Sequence, residues 1–392
     1  MACNQTMPVC NLTMPARTII GEKAFDSALP FLCKAGKKAL VVTGKIITKS
    51  GMLAQIQQKL ESAGIASSVF NDLPGEPDDK MILAALEVYR REKCDFIIGF
   101  GGGTPLDTAK AVAAMSCLKG NLIDYAGKEI QGDFPPMVLI PTTAGTGSEA
   151  TKFFVYTDTK TNAKLLMKGD ALLPSLAVID FNYSLSAPAG ITAATGMDAL
   201  THAVEAYTSK KANPLTDLYC LDAIERIFKM LPHAFRDGSD KEARESLAVA
   251  AYEAGIAINN SSVTLVHGLS RPIGALFHVP HGISNAMLIC ECLRFALDGA
   301  EERFSEIARR IGAASSKDSP SLAAQKFIGQ LEKLTEELKI PTLRDYGIDL
   351  SLFEQSEMKM ADDALSSGSP ANTRKSVSKQ DILELYRILR EK

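Results

Sequence analysis

The chain has 392 residues, of which 46% are hydrophobic and 23% charged, and its net charge is −3. That length supports a large buried core and predicts two domains. The near-neutral balance argues against a nucleic-acid surface or a polybasic membrane contact, and no apolar run approaches the roughly 20 residues needed to cross a bilayer. Residues 1–12 carry neither a basic stretch nor a long apolar one, so a signal peptide is not expected. The eight cysteines (Cys3, Cys10, Cys33, Cys94, Cys117, Cys220, Cys290 and Cys292) include no C-x-x-C pair. They read as reduced core thiols of a cytoplasmic protein. Cys290 and Cys292 make a poor metal pair, because alternate residues of a helix point apart.

In chain order, residues 16–21 and 38–44 read as strands, the second a buried run closed by Gly44. Residues 50–64 have helical periodicity and a closing glycine. A strand at 66–70 precedes a helix at 79–93 that carries acid early and base late, as the helix dipole favours. The strand 95–101 leads into a helix at 104–115, and further strands follow at 137–142, 153–158 and 176–180. This alternation predicts a parallel sheet covered on both faces. After Gly190 no strand pattern remains: 191–209, 214–235, 241–259, most of 286–311 and the tail 379–390 read as helices. The boundary is expected near residue 188, between an α/β domain (1–188) and an all-helical domain (189–392). The stretch 366–375, rich in Ser, Gly, Pro and Asn, reads as a flexible loop.

Two loops of the first domain have the chemistry of a nucleotide cradle. Gly101, Gly102 and Gly103 lie between a strand and a helix, where backbone can approach a ligand closely and free N–H groups face a pyrophosphate. Thr104 is expected as the N-cap, Pro105 as the first helical residue, and Asp107 as the partner of Thr104 in a capping-box-like arrangement. The alternative is a tight strand–helix turn with no ligand. The second loop follows the strand at 137–142 and presents Thr142, Thr143, Thr146, Ser148 and Thr151 with two glycines. It reads either as a wrap around a nucleotide at the carboxyl edge of the sheet or as a solvated turn. After the strand at 38–44, where an acidic residue would hold a ribose 2′-hydroxyl, the chain has Gly44 and Lys45, a pattern that favours or permits NADP(H).

The second domain carries the metal signal. Asp198 and His202 are four apart, so on a helix they share a face about 5–6 Å apart. His267 and His281 lie fourteen apart further on. Three imidazoles and one carboxylate suit Fe(II) or Zn(II) and not Ca or Mg. Metal plus dinucleotide points to hydride chemistry.

Taken together, V-V-T-G-K from Val41, G-G-G-T-P-L-D-T-A-K from Gly101, P-T-T-A-G-T-G-S-E from Pro141, G-M-D-A-L-T-H-A-V-E-A-Y from Gly196, and the H-G pairs at His267 and His281 resemble the iron-containing (group III) alcohol dehydrogenases, in their order and spacing and over nearly the whole chain. The resemblance implies the dehydroquinate synthase-like fold: an N-terminal α/β dinucleotide-binding domain with a parallel sheet, an all-α C-terminal metal-binding domain, and a cleft between them. It implies one catalytic metal, usually iron, on Asp198, His202, His267 and His281. It also implies NAD(H) or NADP(H) held by the glycine- and threonine-rich loops, Asp107 among their residues, with Lys164 as a further contact, a small alcohol or aldehyde substrate, and a homodimer or larger homo-oligomer.

One position departs from the family pattern. Many members carry a further histidine four residues after the third ligand, where this chain has Arg271. Arginine stays protonated and cannot serve as a base, but it can grip an anion in bidentate fashion. That predicts a small aldehyde bearing a carboxylate, phosphonate or sulfonate; the alternative is that Arg271 pairs with a protein carboxylate or the cofactor phosphates. His278 is a candidate to replace the missing relay histidine, or a packed core residue. His233 reads as a surface or helix-end residue, and Phe153 and Phe154 as a pocket wall or plain core. Three other readings compete: a zinc-dependent polyol dehydrogenase or lyase of the same fold, a metal-dependent hydrolase that needs no dinucleotide, and a non-catalytic nucleotide sensor.

Overall fold

A computed structural model describes residues 9–161 and 163–392; Cys3 and most of the segment read for a signal peptide lie outside them. The first half runs β1 (Thr18–Ile20), α1 (Ala24–Ala35), β2 (Lys38–Thr43), α2 (Lys45–Lys49), α3 (Met52–Ser62), β3 (Ala66–Phe70), α4 (Asp79–Arg91), β4 (Phe96–Gly101), α5 (Gly103–Cys117), β5 (Met137–Pro141), β6 (Phe153–Asp158), β7 (Ala163–Lys168) and β8 (Leu176–Ile179). Six of these strands form one parallel sheet in the order β1-β8-β5-β4-β2-β3. Its central strands are apolar along their length because both faces are covered. Successive residues point to opposite faces. Ala39 and Val41 therefore pack with α1 and α3, while Leu40 and Val42 pack with α4 and α5.

The sheet has a switch point. From β2 the chain steps outward to β3, then returns to the other side of β2 for β4, β5 and β8. Loops at the carboxyl ends of β2 and β4 therefore flank the crevice where such sheets bind ligands.

The reading of 153–158 as a further strand of this sheet needs correction. β6 pairs with β7 in a separate antiparallel hairpin. Its residues alternate between buried and partly exposed, whereas every residue of β8 is buried. One covered face is the condition of an antiparallel ribbon. Helix α1 and strand β7 were not read from the sequence; Pro30 interrupts the helical pattern of α1, and β7 (A-K-L-L-M-K) lacks the apolar–polar alternation of a half-buried strand.

The second half consists of α6 (Ala189–Thr208), α7 (Pro214–Arg236), α8 (Lys241–Asn260), α9 (Leu265–Phe277), α10 (His281–Ala296), α11 (Glu301–Arg310), α12 (Pro320–Glu337), α13 (Leu343–Tyr346), α14 (Leu350–Ser366) and α15 (Lys379–Glu391). Local chemistry sets their starts. Asn213, Ser319 and Ser378 cap α7, α12 and α15, with Pro214 and Pro320 in the first turns. Helix α6 runs through the middle of this domain, 15 of its 20 residues buried. A Cβ at Gly196 would lie 2.4 Å from Leu231 Cδ1, so the close approach of α6 to α7 requires glycine there.

The stretch 366–375 is not a free loop. Ser369 and Thr373 are buried, Asn372 donates to Ser262 Oγ at 2.7 Å, and Ser209 bridges to Thr373. Its turn-forming composition serves a fixed crossing over α9, where a Cβ on Gly268 would meet Pro370 Cγ at 2.6 Å. Among the described residues no helix is long and apolar enough to cross a membrane.

Candidate active site

Helix α6 presents Asp198, His202 and Glu205 at i, i+4 and i+7, one face of the helix. His267 comes from the first turn of α9, and His281 is the first residue of α10. Gly282 lets α10 start against α6: a Cβ there would meet Ala194 O at 2.7 Å and Asp198 Cβ at 3.5 Å. One donor atom from each of Asp198, His202, His267 and His281 lies within 4.8 Å of the others. His202 Nε2 and His281 Nε2 are 3.8 and 3.7 Å from Asp198 Oδ1. Asp198, His202 and His267 are 2–4% exposed.

Two residues that the sequence reading did not single out complete this corner. Glu205 is fully buried and shares a 2.5 Å hydrogen bond with His267 Nδ1. Its other oxygen accepts from Thr264 Oγ1 at 2.7 Å and from the Val266 amide at 2.6 Å. This fixes the ring so that Nε2 faces Asp198 and His281, the usual way a carboxylate orients a metal-binding imidazole. Asn285, one turn after His281, places its amide nitrogen 2.7 Å from Asp198 Oδ1, 3.1 Å from His267 Nε2 and 3.2 Å from His281 Nε2, and Ser270 bonds to its carbonyl. Spacing held both signals: Glu205 is three residues beyond His202, and Asn285 four beyond His281.

Burial drives the His267 imidazole well below its ordinary range, and the nearby charges of His202 and Arg271 push the same way. It is thereby held neutral, the form in which a histidine can ligate a metal. The donor set of three imidazoles and one carboxylate fits a borderline divalent metal. Among the described residues no other group of three or more Asp, Glu, His or Cys side chains converges in this way. The seven described cysteines are free; Cys94, Cys220 and Cys292 are buried, but Cys33 and Cys117 are exposed, so the core-thiol reading holds only in part.

The sheet edge carries the other loops. Gly44 caps α2 after β2, and Gly101 ends β4. Helix α5 begins at Gly103 with Gly102 as its N-cap. Thr104 and Pro105 therefore lie inside the first turn, and the expected Thr104 cap with Asp107 as its box partner does not form. The third glycine takes the backbone into the helix earlier than a cap by Thr104 would. Asp107 instead accepts from Ser148 Oγ at 2.6 Å and from the Val155 amide at 2.9 Å. The two loops touch. The Thr142 amide donates to Gly101 O at 2.9 Å, and a Cβ on Gly103 would be 3.1 Å from Thr146 Cγ2. The second loop also reaches the metal-site helix, since a Cβ on Gly145 would lie 2.5 Å from Thr195 Cβ, one turn before Asp198.

The remaining predicted residues scatter around this centre. Lys164, on β7, pairs with Glu76 at 2.5 Å and brings Nζ within 3.5 Å of where a Gly274 Cβ would stand on α9. Arg271, one turn beyond His267, donates to Ser369 Oγ at 2.9 Å, and among the described residues no carboxylate lies within 4 Å of its guanidinium. Buried Glu205 nevertheless acts on it through its charge, without a direct ion pair. His278 is exposed, in a left-handed conformation at the end of α9. His233 is exposed near the end of α7, as expected. Phe154 is fully buried in the core under the sheet, and Phe153 is half-buried.

Comparison with known proteins adds an independent line. Residues 15–181 match the family model described as iron-containing alcohol dehydrogenase, and residues 192–389 the model for the C-terminal part of the Fe-containing alcohol dehydrogenase family. The chain is 38% identical over 378 residues to a 1,3-propanediol dehydrogenase of Citrobacter freundii, covering 95% of this chain and 94% of that one. It superposes on a solved 1,3-propanediol oxidoreductase with a TM-score of 0.94 at 36% identity, covering 97% and 100% of the two chains. It also superposes on a sulfoacetaldehyde reductase from Bifidobacterium kashiwanohense in complex with NAD+, with a TM-score of 0.87 at 27% identity and coverage of 98% and 99%.

Proposed function

Since this chain belongs to the iron-containing alcohol dehydrogenase family, whose members act on CH–OH groups with a nicotinamide cofactor and a divalent metal, we propose that it passes a hydride between NAD(P)H and a small aldehyde bound beside Asp198, His202, His267 and His281. The observation that carries this reading is the convergence of those four donor atoms from three helices within 4.8 Å, one of which, α6, touches the threonine-rich loop after β5, next to the glycine turn that ends β4 at the sheet's switch point. A hydrolase would have no use for that second element.

In this reading the four side chains hold the metal. When bound, the metal supplies Lewis acidity to the substrate oxygen and the nicotinamide supplies the hydride. Glu205 fixes the His267 ring through Nδ1 and keeps Nε2 turned inward. Gly44, Gly101, Gly102, Gly103 and Thr104 line the dinucleotide on one side, with Thr142, Thr143, Thr146 and Ser148 on the other. Asp107 and Lys164 support this cradle from its flanks. His278, exposed on the turn between the two helices that carry His267 and His281, exchanges the proton with solvent. Gly44 leaves open space beside the ribose, because a Cβ there would meet nothing within 4 Å. That room favours acceptance of NADP(H) alongside NAD(H).

The substrate reading is short and anionic. Relatives named for 1,3-propanediol support a short chain. The Arg271 guanidinium, one turn from His267 and without a direct carboxylate contact among the described residues, supports a carboxylate, phosphonate or sulfonate on the aldehyde, and one similar structure is a reductase of sulfoacetaldehyde. The test is NADPH or NADH consumption by Fe(II)-reconstituted protein without oxygen, comparing propanal with size-matched anionic aldehydes. Preference for the anion, lost in Arg271→Ala, is the expected outcome. Preference for propanal would discard the anion site and keep the reaction. No turnover with either cofactor would reject the hydride-transfer assignment.

A further inference from the structure

Lys110 stands inside the protein with no solvent contact and no obvious duty in the chemistry. It lies on α5, and its ammonium is 2.6 Å from Ser148 O, 2.8 Å from Thr151 O, 2.9 Å from Thr151 Oγ1 and 2.8 Å from Phe153 O. An ammonium has three N–H donors, so these four oxygens satisfy it completely. Asp107, almost one turn earlier, takes hold of the same segment: Ser148 Oγ donates to one of its oxygens and the Val155 amide to the other. Two opposite charges on one helix thus bind both the end of the threonine-rich loop and the start of β6.

Asp107 and Lys110 make no direct ion pair; each is held by its own hydrogen bonds, and burying such charges is a poor device for stability, because apolar replacements of similar volume often serve as well or better. What it provides is geometry. Helix α5 begins at Gly103, whose Cα approaches Thr146, and it carries Asp107 and Lys110 about one and two turns further along. The glycine turn and the threonine loop are therefore referred to one rigid body.

We propose that Asp107 and Lys110 are positioning residues for the dinucleotide, a clasp that sets the spacing between the Gly101–Gly103 turn and the Thr142–Ser148 loop. Neither side chain touches the cofactor; both act through Ser148, Asp107 also through Val155 and Lys110 through Thr151 and Phe153. The proposal rests on the assignment of these two loops to the nucleotide.

The test compares wild type with Lys110→Met, which keeps an unbranched chain one atom shorter and without the charge, and with the milder Thr151→Val, which removes one acceptor and is expected to fold even if Lys110→Met does not. NADPH binding is read by its fluorescence on mixing with the protein, beside KM and kcat, bound metal and the melting temperature. The clasp predicts a dissociation constant and a cofactor KM roughly tenfold higher for Lys110→Met and severalfold higher for Thr151→Val, a change larger than that in kcat, with metal content retained. Lys110→Arg, which keeps the charge, should recover part of the loss in any form that folds. If the variants melt earlier yet bind NADPH as wild type does, the pair is structural and the proposal falls. If wild type itself binds no nicotinamide nucleotide, the cofactor reading of the loops fails first.

Discussion

The two sides of the candidate site are built on opposite plans. On the helical side Asp198, His202 and His267 are almost wholly buried and meet through side-chain atoms, each fixed by a helix. On the sheet side Gly102 and Gly103 offer mainly backbone, and the loop opposite is secured from behind by Asp107 and Lys110. A wall of side chains fails when an atom is removed. A wall of backbone fails when an atom is added. The two should therefore separate cleanly under mutation.

The largest effect belongs to the helical wall. Removing one donor in His202→Ala should lower turnover by several kcal/mol, on the order of 10³-fold, with loss of bound metal by elemental analysis and unchanged NADPH binding. Retention of both metal and turnover would break the comparison at its strongest point. A smaller effect is expected on the sheet side. A Cβ on Gly102 meets nothing closer than Thr143 Oγ1 at 3.7 Å, so Gly102→Ala should fold and melt like wild type. It would intrude on the cradle and raise the cofactor KM roughly tenfold, about 1.4 kcal/mol; an unchanged KM would mean that the nucleotide does not lie there.

Glu149 sharpens the contrast through pH. It follows the threonine loop, is 2% exposed, and has one oxygen without a partner. Burial pushes its carboxyl up to about 7, although its own backbone amide and Lys110 oppose the shift. A raised value in the fold means that the stabilising form is protonated. That contribution is present below the ordinary carboxylate value and is lost as pH rises through about 7. Glu149→Gln, neutral throughout, should gain stability relative to wild type from about pH 5 to about pH 8, by on the order of 1–3 kcal/mol. Equal differences in melting temperature at the two pH values would contradict a neutral buried carboxyl. The smallest effect is at Thr104. If it were the N-cap of α5, Thr104→Ala would cost about 1 kcal/mol; lying within the first turn, it should cost less than about 0.5 kcal/mol in a denaturant titration.

These contrasts explain what could be read before the fold was known. The four donor residues were legible because two share a helix face at i, i+4 and the others sit in short His-Gly motifs. The central strands were legible because burial on both faces leaves continuous apolar runs, as in Phe96–Gly101. Glu205 was less so, since its partners Thr264, Val266 and His267 lie about sixty residues away and only the fold makes them neighbours. The hairpin β6–β7 misled for a related reason: F-F-V-Y-T-D has strand composition, but nothing in it announces an antiparallel partner. Thr104 misled because its composition is that of an N-cap, while the glycine before it allows the helix to begin sooner.

One consequence follows from the descent of Asp198 and His202 from α6, His267 from α9 and His281 from α10. Three helices end their side chains at one point, so a cation held there is a cross-link of the helical domain as well as a reagent. Its binding free energy adds to the stability of that domain by mass action, while the parallel sheet has no ligand to contribute. A chelator would then act as a denaturant of one half of the molecule. The supply of metal in the cell would set the lifetime of the protein together with its rate.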